Sequence, residues 1–338
     1  MEKPTAHQSL YQKIHELLLD SKQNIVRSVN STMVYTYYEI GRMIVEDEQQ
    51  GKHRAEYGKQ VLEFLSQQLS QSFGRGFSVV NLRQMRAFYQ TYSIQQTVSA
   101  ELKEKRFTLS WSHYLLLMRI ENPDERSFYE IESETNRWSL RELQRQFDSA
   151  LYERLVLSRD KDAVQQLSKQ GQHIEKPTDI LKDPYILEFL DLPELHKYSE
   201  FELEEAIISK LEHFMLELGK GFTFCGRQVR ITFDEQHFKI DLVFYNRLLQ
   251  CFVLIDLKIG KLTHQDLGQM QMYVNYHDRF VKLPEENNTI GIILCKDKNE
   301  SLVEITLPTN NNQIFASKYK TVLPDKQDFI RLLQENEM

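Results

Sequence analysis

Apolar positions along this chain follow two different periods. Over residues 10–153 they recur three and four apart, the spacing of one helix face, and predict helices over 10–29, 32–49, 57–72, 81–92, 111–119, 123–135 and 139–153. Ser139, with Glu142 three positions on, is the capping-box signature that opens the last of these. From residue 221 onward the pattern changes to short apolar runs bounded by turn residues, which predict strands over 221–225, 228–233, 239–245, 251–258 and 289–295. Residues 201–218 precede them as a helix with an apolar stripe at Leu203, Ile207, Leu211, Phe214 and Leu218. A second helix, capped by Thr263, runs to about His277. Between the two regimes, residues 158–198 lose their periodicity. A linker is expected over 158–182, a short apolar helix docked on the second core over 183–190, and a final surface helix over 327–336. The fold class expected is therefore α+β in two domains: helical residues 1–157 and α/β residues 183–338.

Two of the apolar strands carry charge where a core tolerates little. Asp241 lies in one, and Asp256 and Lys258 lie in the next. An Asp, fourteen residues, then Asp-x-Lys is the PD-(D/E)xK arrangement of metal-dependent nucleases. Side chains alternate along a strand, so Asp256 and Lys258 share a face with Phe252 and Leu254, while Leu257 points the other way. If residues 246–249 form the turn, Tyr245 pairs with Gln250 and Asp241 falls opposite Leu254, on that same face. Asp256 is then one diagonal step away, roughly 7–8 Å between backbones. Two carboxylates so placed can share a hard cation such as Mg²⁺, with Mn²⁺ its expected substitute. A slip of one residue would turn Asp241 away. Glu204 borders the apolar stripe of its helix, whereas Glu205 leads to Ser209 and Glu212 on a wetter face, so Glu204 is the third candidate carboxylate. Gln269 and Tyr273 share one face of the later helix and are candidates to hold a water or a phosphate. Helix, three strands, helix, strand is the order of a restriction-endonuclease-like core. Each residue also has a plainer reading: a strand-end ion pair for Asp256 and Lys258, a solvated helix position for Glu204, and packing for Gln269 and Tyr273.

Several stretches carry a resemblance. Gly-Lys-Gly-Phe-Thr-Phe-Cys-Gly-Arg-Gln at 219–228, Ile-Asp-Leu-Val-Phe-Tyr-Asn-Arg at 240–247, Asp-Leu-Lys-Ile-Gly-Lys at 256–261 and Leu-Gly-Gln-Met-Gln-Met-Tyr at 267–273 resemble the YhcG family. Tyr-Tyr-Glu-Ile-Gly-Arg at 37–42, Phe-Gly-Arg-Gly-Phe-Ser at 73–78, Asn-Leu-Arg-Gln-Met-Arg at 81–86, Leu-Ser-Trp-Ser-His-Tyr at 109–114 and Leu-Tyr-Glu-Arg-Leu at 151–155 extend it over most of the chain. The resemblance implies a C-terminal PD-(D/E)xK nuclease domain and an N-terminal domain that binds DNA. In such a site Asp241, Asp256 and the backbone carbonyl of Leu257 hold Mg²⁺, with Glu204 direct or through water, and Lys258 positions the attacking water. One departure stands out: Asp256 occupies a position where this family more often has Glu.

The turn at 73–78 joins two predicted helices. It lacks a following Gly-Lys-Ser/Thr and a preceding strand, so it is no nucleotide loop. It reads instead as the turn of a helix-turn-helix-like unit, with Arg75, Asn81, Arg83 and Arg86 as candidate nucleic-acid contacts, although arginines beside a loop are ordinarily just a solvated face. The formal charge is −7, with 23 basic against 22 acidic residues over 1–170 and 19 against 27 afterward. No basic stripe supports nucleic-acid binding, which must rest on local patches and on metal. Cys225, Cys251 and Cys295 show no metal-ligand spacing and are expected as reduced core residues. A polar start and the lack of any apolar run near about 20 residues predict a soluble, cytoplasmic protein. The function expected is a Mg²⁺-dependent DNA endonuclease in restriction, defence, recombination or repair. The alternative is a catalytically weak nuclease fold that binds nucleic acid or serves in a larger assembly. A homodimer is expected by analogy with nucleases that cut both strands.

Overall fold

The computed structural model describes residues 6–50, 55–93, 107–157, 161–192, 198–233, 235–328 and 331, in two compact units, Met1–Gln144 and Arg145–Met338. The first unit contains α1 (Ala6–Gln50), α2 (Ala55–Phe73), α3 (Val79–Ser93), α4 (Trp111–Leu117), α5 (Pro123–Thr135) and the start of α6 (Leu140–Asp148). The two helices predicted over 10–49 are one. At and just after the expected break the threonines back-bond to the helix, Thr32 Oγ1 donating to the Ser28 carbonyl at 2.9 Å and Thr36 Oγ1 to that of Thr32 at 2.8 Å. Gly41 lets α3 approach α1, because a Cβ there would lie 2.1 Å from the Met85 carbonyl oxygen. Leu82, Met85, Phe88 and Tyr92 of α3 are buried, and Phe88 packs edgewise on Trp111 and against Phe107 and Tyr114.

The second unit adds α7 (Leu151–Leu157), α8 (Lys161–Gln170), β1 (Tyr185–Ile186), α9 (Glu200–Ser209), α10 (Leu211–Leu218), β2 (Phe222–Phe233), β3 (Gln236–Asn246), β4 (Cys251–Lys261), α11 (His264–Phe280), β5 (Ile290–Asp297), α12 (Glu300–Thr306) and β6 (Ile314–Lys320). Its six-stranded sheet has the order β1-β6-β5-β4-β3-β2, antiparallel through β2, β3 and β4 and parallel beyond. Leu203, Ile207, Phe214 and Leu218 of α9 and α10 cover one face over Leu242, Phe244, Ile255 and Leu257. Leu267, Met270, Tyr273 and Val274 of α11 cover the other over Val243, Leu254 and Ile293. The alternation of the sequence is thus divided between two cores.

Several expectations change in detail. The helix over 139–153 is divided where Ala150 takes φ 53°, and the helix over 201–218 breaks at Lys210. The two strands over 221–233 are one, β2, with a bulge between Phe224 and Gly226. Cys225 falls at that irregularity and is exposed, unlike the buried Cys251 and Cys295, so it is no core residue. Residues 183–190 form β1 and a 3₁₀ turn (Glu188–Leu190) in place of a helix, because their backbone pairs with β6. Within the expected linker lie α8 and the buried Leu167, Ile174 and Ile180. Of the expected tail helix, most residues lie outside those described.

Glu217 ties this unit together from within. Fully buried, it accepts from Arg154 Nη1 at 2.6 Å, from the Ile186 amide at 3.0 Å and from Arg145 Nη2 at 3.3 Å, while its carbonyl receives Lys182 Nζ. Burial alone would raise this carboxyl, yet Arg154, Lys182 and Arg145 outweigh it and hold it at about 2. Removing one partner of a buried ion network strands the rest, at about 3 kcal/mol or more. Glu217→Gln is expected to lower the unfolding free energy extrapolated from urea titration by that amount at pH 7, moving the midpoint to lower urea. Because the folded-state value lies below the unfolded one, the wild-type advantage should be full above the ordinary carboxyl range and fade as pH falls toward 2. An unchanged midpoint would contradict this account.

Candidate active site

The site forms where β3 and β4 part. Their ladder runs from Asn246↔Cys251 through Tyr245↔Phe252 and Val243↔Leu254 to Leu242↔Ile255. The turn is therefore 247–250, and the register differs by two residues from the one expected. An even shift preserves the face, so Asp241 still points with Asp256 and now stands at the position across from it instead of one diagonal step away. Beyond Leu242 the ladder is replaced by a side chain: Asp241 Oδ2 accepts from the Leu257 amide at 2.8 Å. Lys258 Nζ lies 2.9 Å from Asp256 Oδ2 and 3.6 Å from Glu200 Oε2. From β2, Gln228 Nε2 donates to Asp241 Oδ1 at 3.2 Å and also to Glu204 Oε2, so α9 and β3 share one amide. Gln228 adopts φ 47°, a left-handed conformation that turns its side chain out of the regular strand alternation.

The structure thus joins four of the expected residues, Asp241, Asp256, Lys258 and Glu204, in one chain of contacts. Gln269 and Tyr273 lie on α11 over the same sheet face as Asp241. Gln269 Nε2 donates to the Tyr273 hydroxyl, which donates to the Lys239 carbonyl at 2.8 Å. Burial first, then the charges of Asp256 and Asp241, raise the Tyr273 hydroxyl against the opposing Gln269 bond. Leu257 buries its side chain in the α9/α10 core and gives its amide to Asp241. In the first unit, Arg75 and Arg83 are exposed. Asn81 instead binds the Gly76 carbonyl and accepts from Trp111 Nε1 at 3.1 Å, and Arg86 pairs with Glu48 at 2.8 Å.

Gln228, Glu200 and Arg227 were not anticipated. Gln228 carries no charge and reaches the site only through the bulged β2. Glu200 opens α9 just after its Ser199 cap, where an acidic residue is ordinary helix chemistry. Arg227 Nη2 pairs with Glu205 at 2.5 Å, and its Nε stands 3.6 Å from Glu204 Oε1.

Electrostatically the site is short of positive charge. Burial, then the neighbouring Asp241 charge, pushes Asp256 up to about 7 despite Lys258. Asp241 is raised by burial against the Leu257 amide and Lys258, and Glu204 is raised by burial against its Gln228 bond. Burial lowers Lys258, but Asp256 and Glu200 more than reverse this and keep it charged. Glu204 Oε1 is buried without a hydrogen-bond partner. Among the described residues no group of three or more His, Cys, Asp or Glu forms a ready metal cage. Two facing carboxylates, with a third carboxylate oxygen nearby that meets Arg227 but accepts no hydrogen bond, nonetheless fit a hard cation that keeps several waters.

A sheet of this order, with paired acids and a lysine where two strands part, defines a nuclease of the PDDEXK class. Residues 178–334 match the YhcG PDDEXK nuclease domain, and residues 13–154 match the DUF1016 N-terminal domain. The chain belongs to the YhcG family: it is 42% identical over 346 residues to "Putative nuclease YhcG" of Escherichia coli (strain K12), covering 94% of this chain and 92% of that protein. Among solved structures, a repair endonuclease from Pyrococcus abyssi is 16% identical over 38% of this chain and 50% of its own, with a TM-score of 0.26. The structure of an EndoMS–dsDNA2 complex is 13% identical over 40% of this chain and 50% of its own, also at 0.26. The chain spans about half the length of those two, and likeness at that level carries no argument. No helix among the described residues is long and apolar enough to cross a membrane.

A carboxyl with a raised folded-state value makes the cation-free protein lose stability as pH rises from its ordinary range, near 4, toward 7. Asp256→Asn removes that loss. In EDTA, the variant should melt close to wild type at pH 5 and several degrees above it at pH 8. A variant that melts lower at both pH values would show that the carboxylate is a net structural asset instead.

Proposed function

We propose that this chain is a Mg²⁺-dependent endonuclease acting on DNA, with Asp241, Asp256 and Lys258 as its catalytic centre. The observation that carries the reading is the half-buried Asp241 facing the buried Asp256, with the Lys258 ammonium 2.9 Å from Asp256. Asp241 and Asp256, with the Leu257 carbonyl and with Glu204 direct or through water, would hold the ion. Mg²⁺, or Mn²⁺ in its place, would polarise the phosphodiester and lower the pKa of a bound water. That water would add its oxygen to phosphorus as the P–O bond to the leaving strand breaks, with its proton passing to solvent. Lys258 orients that water and offsets the negative charge that develops on the phosphate oxygens. Gln228 positions Glu204 against Asp241, and Tyr273, with Gln269 on its hydroxyl, fixes the backbone beside Asp241.

In this reading residues 183–338 cut and residues 1–157 bind the substrate, joined through 158–182. Arg75 and Arg83, exposed around the α2–α3 turn, would contact phosphates of a helix-turn-helix-like unit, while Asn81 and Arg86 hold that unit together through their Trp111 and Glu48 bonds. The protein would act inside the cell, in restriction, defence, recombination or repair. One observation favours a second reading, a fold that binds without cutting: Lys258 is already engaged by Asp256 and Glu200.

A homodimer has a candidate surface in the first half of α1. Leu10, Ile14, Leu17, Leu18 and Ile25 are 48–65% exposed there. Two copies laid antiparallel over residues 10–25 would cover this apolar surface with itself. Light scattering should show a dimer that Leu17→Glu with Leu18→Glu converts to monomer. A wild-type monomer at micromolar concentration would exclude that surface.

Cleavage of supercoiled plasmid and of single-stranded DNA in Mg²⁺ tests the main reading. Asp241→Asn and Lys258→Ala should each slow cutting about a hundredfold or more, with EDTA abolishing it. Variants that cut as fast as wild type would overturn the assignment, and a wild type that binds but never cuts would select the second reading.

A further inference from the structure

The first unit holds a polar cavity of about 980 Å³ that the nuclease chemistry does not use, walled by one turn of α1 at residues 28–32, by residues 108–110, by His113 and by the end of α5. Three features distinguish it from an ordinary surface hollow. Ser133, one of its lining residues, is completely buried and its hydroxyl has no hydrogen-bond partner. A buried hydroxyl left unbonded is costly unless something else completes it. Arg137, also lining the cavity, sits at φ 54° just past α5, where the Trp138 amide closes the helix end on the Ser133 carbonyl at 3.0 Å. That left-handed position ordinarily goes to glycine, so an arginine there is held against the preference of its own backbone. His113 is locked between Ser110 Oγ at 2.6 Å and the Trp138 carbonyl at 3.1 Å. Burial lowers its pKa, so the ring stays neutral near pH 7.

The wall therefore offers a single guanidinium, the exposed carboxylate of Glu134, several neutral hydroxyl groups with the Asn30 amide, and a half-buried indole. Those are the groups that recognise one phosphate, a sugar and a base, and the space is ample for all three. We infer that this cavity takes one nucleoside monophosphate unit, its phosphate on Arg137 and its base against Trp138. The inference rests on the reading of this chain as a protein that acts on nucleic acid, and it places a second nucleic-acid contact in the first unit, away from Arg75 and Arg83. The two sources of the monophosphate are a strand with an unpaired nucleotide and a free nucleotide.

The decisive variant is Arg137→Gly, which removes the guanidinium while giving the backbone the residue its conformation prefers. A purely structural role for Arg137 would make this change neutral or harmful to melting temperature with no effect on ligand. Full-length protein in EDTA is titrated into an end-labelled single-stranded oligonucleotide and followed by anisotropy. The expected result is a melting temperature at or above wild type with oligonucleotide affinity weakened about tenfold. With only Trp111 and Trp138 in the chain, Trp111→Phe leaves one indole, and its fluorescence should be quenched as the oligonucleotide binds. Competition with thymidine monophosphate and adenosine monophosphate separates the sources: displacement at micromolar nucleotide indicates a free nucleotide, and no displacement indicates a strand. Arg137→Gly that binds like wild type, or an unquenched Trp138 at saturation, overturns the inference. Cutting in Mg²⁺ that persists alongside such a result leaves the nuclease reading standing. Arg137-dependent binding without any cutting would instead remove the nuclease reading and keep the cavity.

Discussion

Two carboxylates facing each other across parting strands are the constraint on which the C-terminal unit turns. Asp241 and Asp256 lie inside a sheet covered on both faces, where apolar burial by α9, α10 and α11 supplies the folding energy and where an unmatched negative pair opposes it. Lys258 answers one charge, and the Leu257 amide and Gln228 answer part of another. What remains is a deficit of positive charge in a water-poor place, which raises Asp256 to about 7 and also raises Asp241 and Glu204. Proteins place such strain where a ligand relieves it. The fold is strong enough to carry it because anchors such as Glu217 lie elsewhere, in α10, bound to Arg145, Arg154 and the β1 backbone.

The centre of this site was legible in the sequence because charge within an apolar alternating run is rare, and because strand periodicity fixes faces whatever the loop does. The hairpin register expected from the sequence was two residues out, yet Asp241, Asp256 and Lys258 kept a common face, since only an odd slip changes sides. Glu204 was legible for a similar reason: the helix stripe beside it marks the buried side, and neither the break at Lys210 nor the division into α9 and α10 moves it off that side. The family likewise followed from short motifs spread over the whole length.

What escaped was set by backbone irregularity. Gln228 reaches the site through a left-handed residue beside a bulge, and neither feature leaves a periodic trace. Cys225 is turned outward by the same bulge. Residues 183–190 are apolar enough for a helix, but tertiary pairing with β6 made them a strand and a turn. Asn81 and Arg86 looked like surface contacts because sequence does not show that Trp111 and Glu48 come to meet them. The Arg137 position was invisible for the opposite reason: its meaning lies in a φ value that an arginine in a sequence does not advertise.

The central claim is that the two aspartates form a cation seat. Electron paramagnetic resonance of Mn²⁺ titrated into the full-length protein addresses it without reference to turnover. The account predicts saturable binding in the wild type at neutral pH that is lost when either Asp241 or Asp256 becomes Asn, with the fold of both variants intact by circular dichroism. Mn²⁺ binding that is unchanged in both folded variants would contradict it.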